Sequence, residues 1–401
     1  MKKIVILFTL VLCFSASLFC KDIYAKADKK TKALLKEVNE LLEKNQFETA
    51  FQKVSSEDNE YILAKKVEIA CNGFSQSLMH QMFAFKDLEE NETLLDVRTS
   101  DGSFSLILFD PVKSIERFTE KYGEMPILNY ALGMYYQDVF NHYQSNWLIS
   151  DEELINNIIK YFQKALDEKC YDEYSLSCLA SNYYRNNDLD SSSKIYQKKE
   201  KEFNLNTTDN FHYGIVLWLS GNPKKGIEYE KKSIEGYNDN PEYQVDSYIT
   251  CARICFSIPD FKSAEQFLSE CRNKYPDEYR VSQYSVTLYA LQDDRENTIN
   301  AALELLKYGP SNPTTCQLIM QECNNAVRPE LAIEFFKEAV KLYENDSSAC
   351  ENLYFHFSYE YYLMGRAEDA KEMALKARVY FEKNKTLTTD IEQLLEVLCG
   401  E

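Results

Sequence analysis

Chemistry needs nucleophiles, acids, bases or metal ligands held close together, so the chain is read first for those. The four histidines, His80, His142, His212 and His356, are scattered, and none has a partner at a spacing that reads as a metal-ligand motif. Gly73-Phe74-Ser75-Gln76-Ser77 begins like the elbow that exposes a catalytic serine, but its last residue should be glycine. Ser191-Ser192-Ser193-Lys194 has the serine–lysine spacing of penicillin-binding enzymes and lacks their companion motifs. With 11 glycines in 401 residues, there is no glycine-rich loop to cradle a phosphate. Glu89-Glu90 and Asp293-Asp294 fall in turns, where solvated carboxylates are ordinary. Twelve cysteines include no Cys-x-x-Cys pair, which argues against a zinc ribbon or a thioredoxin-like motif. Cys251 and Cys255 lie one helical turn apart; Cys251, Cys271, Cys316 and Cys323 fall at helix-packing positions and read as small buried hydrophobes. In an oxidising compartment some could pair, but spacing does not say which. The chain reads as non-catalytic, with no metal and no cofactor.

The elements that must position any binding residue follow a fixed period. Ile158, Ser192, Gly226, Ala264, Thr298, Ala332 and Ala370 are separated by steps of 34, 34, 38, 34, 34 and 38 residues. Each opens a helical stretch with a bulky or apolar residue near four places on and a small or apolar one near seven on. Ala332, Phe336 and Ala339 show this most cleanly, followed by Ala370, Ala374 and Ala377. A period of this length means stacked helical hairpins, because a helix pair of this size cannot bury its apolar face alone.

Leu132-Gly133 followed by Tyr136, and Leu179-Ala180 followed by Tyr183, carry a recognisable first-helix signature. Gly221-Asn222-Pro223 and Gly365-Arg366 sit at the expected inter-helix turns, and Pro276 and Pro310 fall where repeats end. On these residues the chain resembles the tetratricopeptide repeat (TPR) proteins, whose unit is a 34-residue helix–turn–helix. The resemblance implies an all-α, right-handed TPR-like α-solenoid of helix–turn–helix repeats. Seven units are expected over 125–385, with a C-terminal capping helix at 386–401. Small residues at Gly133, Ala180, Gly214 and Ala252 let paired helices approach, while Tyr and Phe, 29 and 23 of them, fill the space between units.

Residues 28–124 form a different region. Leu34 to Glu43 is an amphipathic helix, and Asn45-Gln46-Phe47-Glu48-Thr49-Ala50 resembles an inter-helix turn, so one divergent repeat starts here. Apolar stretches around Tyr61–Cys71 and Ser75–Phe85 read as helical. Leu95, Val97 and Thr99 then alternate with polar neighbours, Ser100-Asp101-Gly102 supplies a turn, and Phe104, Leu106 and Leu108 alternate on the return. That pattern predicts a small β-hairpin insertion near 93–110, read as a cap over the first repeats. Further on, the first repeat's opening helix is expected to overrun through Tyr143 and Trp147, with Ser150-Asp151-Glu152-Glu153 as a capping box starting the next.

The first residues read as an address. Met1-Lys2-Lys3 precedes an apolar run from Ile4 to Phe19, the pattern of a secretory signal peptide, assigned to residues 1–27. Ala25-Lys26-Ala27 and Ser15-Ala16-Ser17 are candidate cleavage sites. Cys20 is a candidate for lipid attachment and so for a membrane tether, although Phe19 stands where a lipoprotein signal wants a small residue. The chain carries a formal charge of −19, and loss of 1–27, which holds four lysines and one aspartate, gives −19 − 3 = −22. Without a basic stripe, nucleic acid is disfavoured as a partner, as is an anionic lipid surface. Export to the periplasm or envelope of a bacterium is the expected location.

What remains is binding. The resemblance implies a concave groove lined by first helices, holding a protein or peptide. Carried over unit by unit, this places Tyr130, Met134, Tyr174, Tyr184, Phe211, Ile215, Trp218 and Phe256 on its N-terminal half. Gln283, Gln317, Gln321, Asn324 and Asn325 line the later units, with Arg253 and Arg280 between. Rings anchor side chains, and amides satisfy both donors and acceptors of a peptide backbone. The paired Lys and Asn residues by which some relatives clamp chaperone tails are missing. The alternative is a small-ligand-binding accessory of a transport system, with the aromatic lining closed into a pocket.

Overall fold

The computed structural model of the chain describes residues 22–100, 102 and 104–400. Most of the segment read as a signal peptide, Cys20 included, lies outside these residues. The chain divides into two compact units, Met1–Val216 and Leu217–Glu401, and each is built from short helices set antiparallel.

In the first unit a turn at 22–27 leads into α1 (Lys29–Glu43), which Asp28 caps by accepting from the Lys30 and Thr31 amides. Tyr24 of that turn donates its hydroxyl to Glu68 at 2.8 Å. Helix α1 pairs with α2 (Phe47–Lys53), and both pack on α3 (Glu60–Asn72). A three-stranded antiparallel sheet follows: β1 (Gln76–Leu78), β2 (Met82–Ala84) and, after α4 (Leu94–Thr99), β3 (Ile107–Leu108). Its order is β1-β2-β3, with Leu78 opposite Met82 and Met82 opposite Leu108. Phe83 and Phe85 of this region join Phe51, Phe74 and Phe109 in an aromatic core. Helix α5 (Pro111–Tyr122) then packs, with α3, against α6 (Pro126–Tyr143).

A small sheet therefore stands in the N-terminal region, but not where the alternation at 93–110 placed a hairpin. Leu94–Thr99 is helical because Thr93 and Asp96 form a reciprocal capping box, a stronger local signal than the alternation of Leu95, Val97 and Thr99. Of the return arm only Ile107–Leu108 is a strand, and it pairs with β2. The stretch Ser75–Phe85, read as helical, is instead the β1–β2 hairpin. Gly73 ends α3, and Met79 and His80, at φ +49° and +44°, turn the chain back.

From α6 onward the first unit contains α6 (Pro126–Tyr143) paired with α7 (Asp151–Asp167), α8 (Glu173–Arg185) paired with α9 (Leu189–Phe203), and α10 (Thr207–Leu219), whose last turn passes into the second unit. Helix α6 stops at Tyr143, short of the expected overrun; a single 3-10 turn at Gln144–Asn146 follows, and Ser150 caps α7. The second unit opens with α11 (Pro223–Gly236). Four hairpins follow: α12 (Pro241–Ser257) with α13 (Phe261–Lys274), α14 (Tyr279–Leu291) with α15 (Arg295–Leu306), α16 (Pro313–Asn325) with α17 (Pro329–Leu342), and α18 (Ser347–Leu363) with α19 (Ala367–Asn384). Helix α20 (Thr389–Cys399) lies against α19 and buries Leu395 and Leu398.

The period is visible as geometry. A Cβ on Gly133 would fall 2.6 Å from Cδ1 of Phe162, so only glycine lets α7 approach α6 this closely. Twelve residues separate Ala180 from Ser192, and Ser358 from Ala370. In the first pair the second-helix serine donates to the first-helix carbonyl at 2.8 Å; in the second the donor is on the first helix, at 2.7 Å. The turns between paired helices repeat too, with positive φ at Asn187, Gly221, Asp293, Val327 and Gly365. Each unit is thus a stack of TPR-type helical hairpins.

Candidate functional site

In the second unit, α12, α14, α16 and α18 pack in succession; α12, α16 and α18 keep exposed side chains on one face, while α14 is buried along most of its length. On α16 the residues Gln317, Gln321 and Asn324 recur at i, i+4 and i+7 and are all exposed, as is Asn325. Arg253 is exposed at the corresponding place on α12, and Tyr359 and Tyr362 on α18. The Arg253 guanidinium lies 5.6 Å over the ring of Trp218, whose Nε1 donates to Ser257 Oγ at 2.9 Å. Trp218 and Phe256 are half-buried. The stripe therefore combines amides, one cation and aromatic rings, groups suited to an extended polypeptide.

Other residues of the predicted lining are engaged elsewhere. Gln283 is buried and donates to Glu322 Oε1 at 2.5 Å, while Thr287 donates to the other oxygen at 2.7 Å, joining α14 to α16. Arg280 is held by Glu278 at 2.8 Å and by Asp246. In the first unit Tyr130 and Met134 are withdrawn into the core: Tyr130 donates to Asp172 at 2.9 Å and Met134 is 5% exposed. Tyr174, Tyr184, Phe211 and Ile215 are half-buried. For Tyr130 and Met134 the cause is local, since α3 lies along α6 and fills the side that the repeat register alone would leave open. His212, beside Phe211, is pushed down to about 4 by burial and by the Arg185 guanidinium, so it is neutral at physiological pH.

Two polar clusters in the first unit escaped the sequence reading. The fully buried Lys199 of α9 reaches Asp209 of α10, donates to Ser177 Oγ at 2.5 Å and lies 3.4 Å from Glu173, an ion-pair lock among three helices. The other joins the β1–β2 turn to α6. His80 is fully buried; its Nε2 is 2.7 Å from Asp138 Oδ2, and its Nδ1 is 3.0 Å from the Tyr143 hydroxyl and 3.1 Å from Ser77 Oγ. His142, one turn beyond Asp138, places Nδ1 2.9 Å from the Asp138 carbonyl and 3.3 Å from Oδ1. Phe74, Phe83, Tyr143 and Trp147 present their rings edge-on around His80.

Burial works to raise the Asp138 carboxyl, yet the hydrogen bonds and charge of His142 and His80 hold it below its ordinary value. Burial lowers His142, and Asp138 more than offsets this, leaving it raised. One nitrogen from each of these two rings and one Asp138 oxygen lie within 4.8 Å of one another. This corrects the expectation that no histidine has a partner at ligand spacing. Two of the three groups come from α6 and the third from 58 residues away, so linear spacing hides them. The signal present in the sequence was the i, i+4 pair Asp138–His142.

No protein-family model and no curated protein matches the chain. Among solved structures it is similar to the C-terminal part of a TPR repeat-containing protein from Cytophaga hutchinsonii, with 14% identity over 66% of this chain and 99% of that one, at a TM-score of 0.42. A tetratricopeptide repeat protein from Parabacteroides merdae shares 13% identity over 71% of this chain and 99% of that one, at 0.41. PilF from Pseudomonas aeruginosa shares 14% over 54% and 86%, at 0.36.

Proposed function

We propose that this protein is an exported, non-catalytic scaffold of the bacterial cell envelope that holds a protein or peptide partner along the first-helix faces of its repeats. The observation that carries the reading is the set of exposed side chains at matching register positions on three of the four first helices: Arg253 on α12, Gln317, Gln321 and Asn324 on α16, and Tyr362 on α18. The Gln317 and Gln321 amides, exposed one turn apart on α16, can pair with the backbone of an extended segment whatever its sequence, and the neighbouring rings select among side chains. Export rests on the basic start and apolar run of the first residues. Among the described residues no helix is long and apolar enough to cross a membrane.

The alternative, a small-ligand accessory of a transporter, calls for an enclosed apolar cavity. The two crevices described hold about 350 and 520 Å³, and both open to solvent among charged side chains such as Glu116, Glu120, Lys224 and Glu228. The test is capture from cross-linked native envelopes by tagged protein, beside Arg253→Ala/Gln321→Ala, two exposed changes that leave the fold intact. A band lost with the double variant is the expected result. Capture by both proteins alike would remove the stripe from the account.

A further inference from the structure

We propose that His80, Asp138 and His142 form a binding site for a divalent transition-metal ion of the zinc type. The proposal is independent of the scaffold reading. Two imidazoles and one carboxylate are a familiar three-ligand set for such an ion, which leaves a further position open. The spacing fits: neighbouring donor atoms in a tetrahedral zinc site lie about 3.3 Å apart, given bonds of about 2.0 Å. Here His80 Nε2 lies 2.7 Å from Asp138 Oδ2 and His142 Nδ1 lies 3.3 Å from Oδ1, and one donor from each of the three groups lies within 4.8 Å of the others, close enough to converge on one ion.

The surroundings are those of a ligand set with an outer shell. Tyr143 and Ser77 grip Nδ1 of His80 and so direct Nε2 toward Asp138; the Tyr143 and Ser77 hydroxyls are themselves 3.1 Å apart. The Tyr135 hydroxyl donates to the His80 carbonyl at 3.2 Å, fixing the turn that carries the ring. That turn closes with the Gln81 amide on the Leu78 carbonyl and has both central residues, Met79 and His80, at positive φ. Such a turn ordinarily takes Asn and Gly. Holding a methionine and a histidine there strains the backbone, and such strain persists where the surrounding structure over-determines it. Its effect is to bring an imidazole from a loop into the interior, opposite a carboxylate. Aromatic rings keep water from three sides, and the half-exposed His142 provides the way in.

Arg98 is the cation facing the cluster. Its guanidinium stacks 3.9 Å over the Phe74 ring and its Nε donates to the Phe74 carbonyl at 3.0 Å. Its charge opposes a second cation nearby, so Arg98→Gln should tighten binding.

The full chain, stripped with chelator, is titrated with zinc against a chromophoric competitor, and separately with cobalt for its spectrum. One equivalent should bind and raise the melting temperature. His142→Ala should weaken zinc binding by about a hundredfold and Tyr143→Phe by about tenfold, with each variant's helicity checked in the absence of metal. Ten cysteines are free among the described residues, and cobalt separates them from this site, because thiolate ligands add an intense near-ultraviolet charge-transfer band. Absence of binding, equal binding by His142→Ala, or a thiolate band would each overturn the assignment.

Discussion

Glu322 and Glu360 occupy the same register position on α16 and α18, and their surroundings separate them. Glu322 accepts from Gln283 and Thr287. The residues that correspond to those two, Gln317 and Gln321, are exposed and do not serve the fully buried Glu360 in that way. Burial pushes its carboxyl up to about 7, with Asn324 holding it partly down. A carboxyl raised on folding favours the folded state when protonated. Its contribution is therefore complete below about pH 4.5, the unfolded value, and is lost as pH rises through about 7. Glu360→Gln should melt with wild type near pH 4 and several degrees higher near pH 8. Coincident melts at both values would contradict this account of Glu360.

Among the elements, the inter-helix turns carry the clearest imprint of the repeat. Asn187, Gly221, Asp293 and Gly365 are residue types that tolerate the left-handed region, but Val327 at φ +60° is β-branched and pays for the turn geometry in strain. It is 80% exposed, so its side chain contributes little burial in return. Val327→Asn should stabilise the chain by about 1 kcal/mol, read as a higher urea midpoint at unchanged slope. A lower midpoint would mean that the valine makes contacts this turn does not reveal. The same elements explain what could be read in advance. Long helices with small residues at Ala180, Ser192, Ala332 and Ala370 leave a period that survives degeneracy. Strands of two or three residues leave none, and so a capped turn of helix at Leu94–Thr99 was mistaken for a strand. His80 was invisible as a ligand for a related reason: its neighbours are set by a sheet that the pattern misplaced.

For the molecule as a whole, the first-helix faces of the two units are used differently. In the first unit α3 lies along α6, which buries Tyr130 and Met134. In the second, Arg253, Gln317, Gln321, Asn324 and Tyr362 stay exposed, while α14 between α12 and α16 buries Gln283 and Thr287. A sequence can assign register positions but not which of them a neighbouring, non-repeating element will cover, as Tyr130 and Met134 show. The most direct measurement is site-specific photo-crosslinking in native envelopes, with a photoreactive residue at Gln321 on α16 and, as the control, at Glu228 on α11. The scaffold account predicts a discrete adduct from position 321 and none from position 228. The same adduct from both, or one from 228 alone, would contradict it.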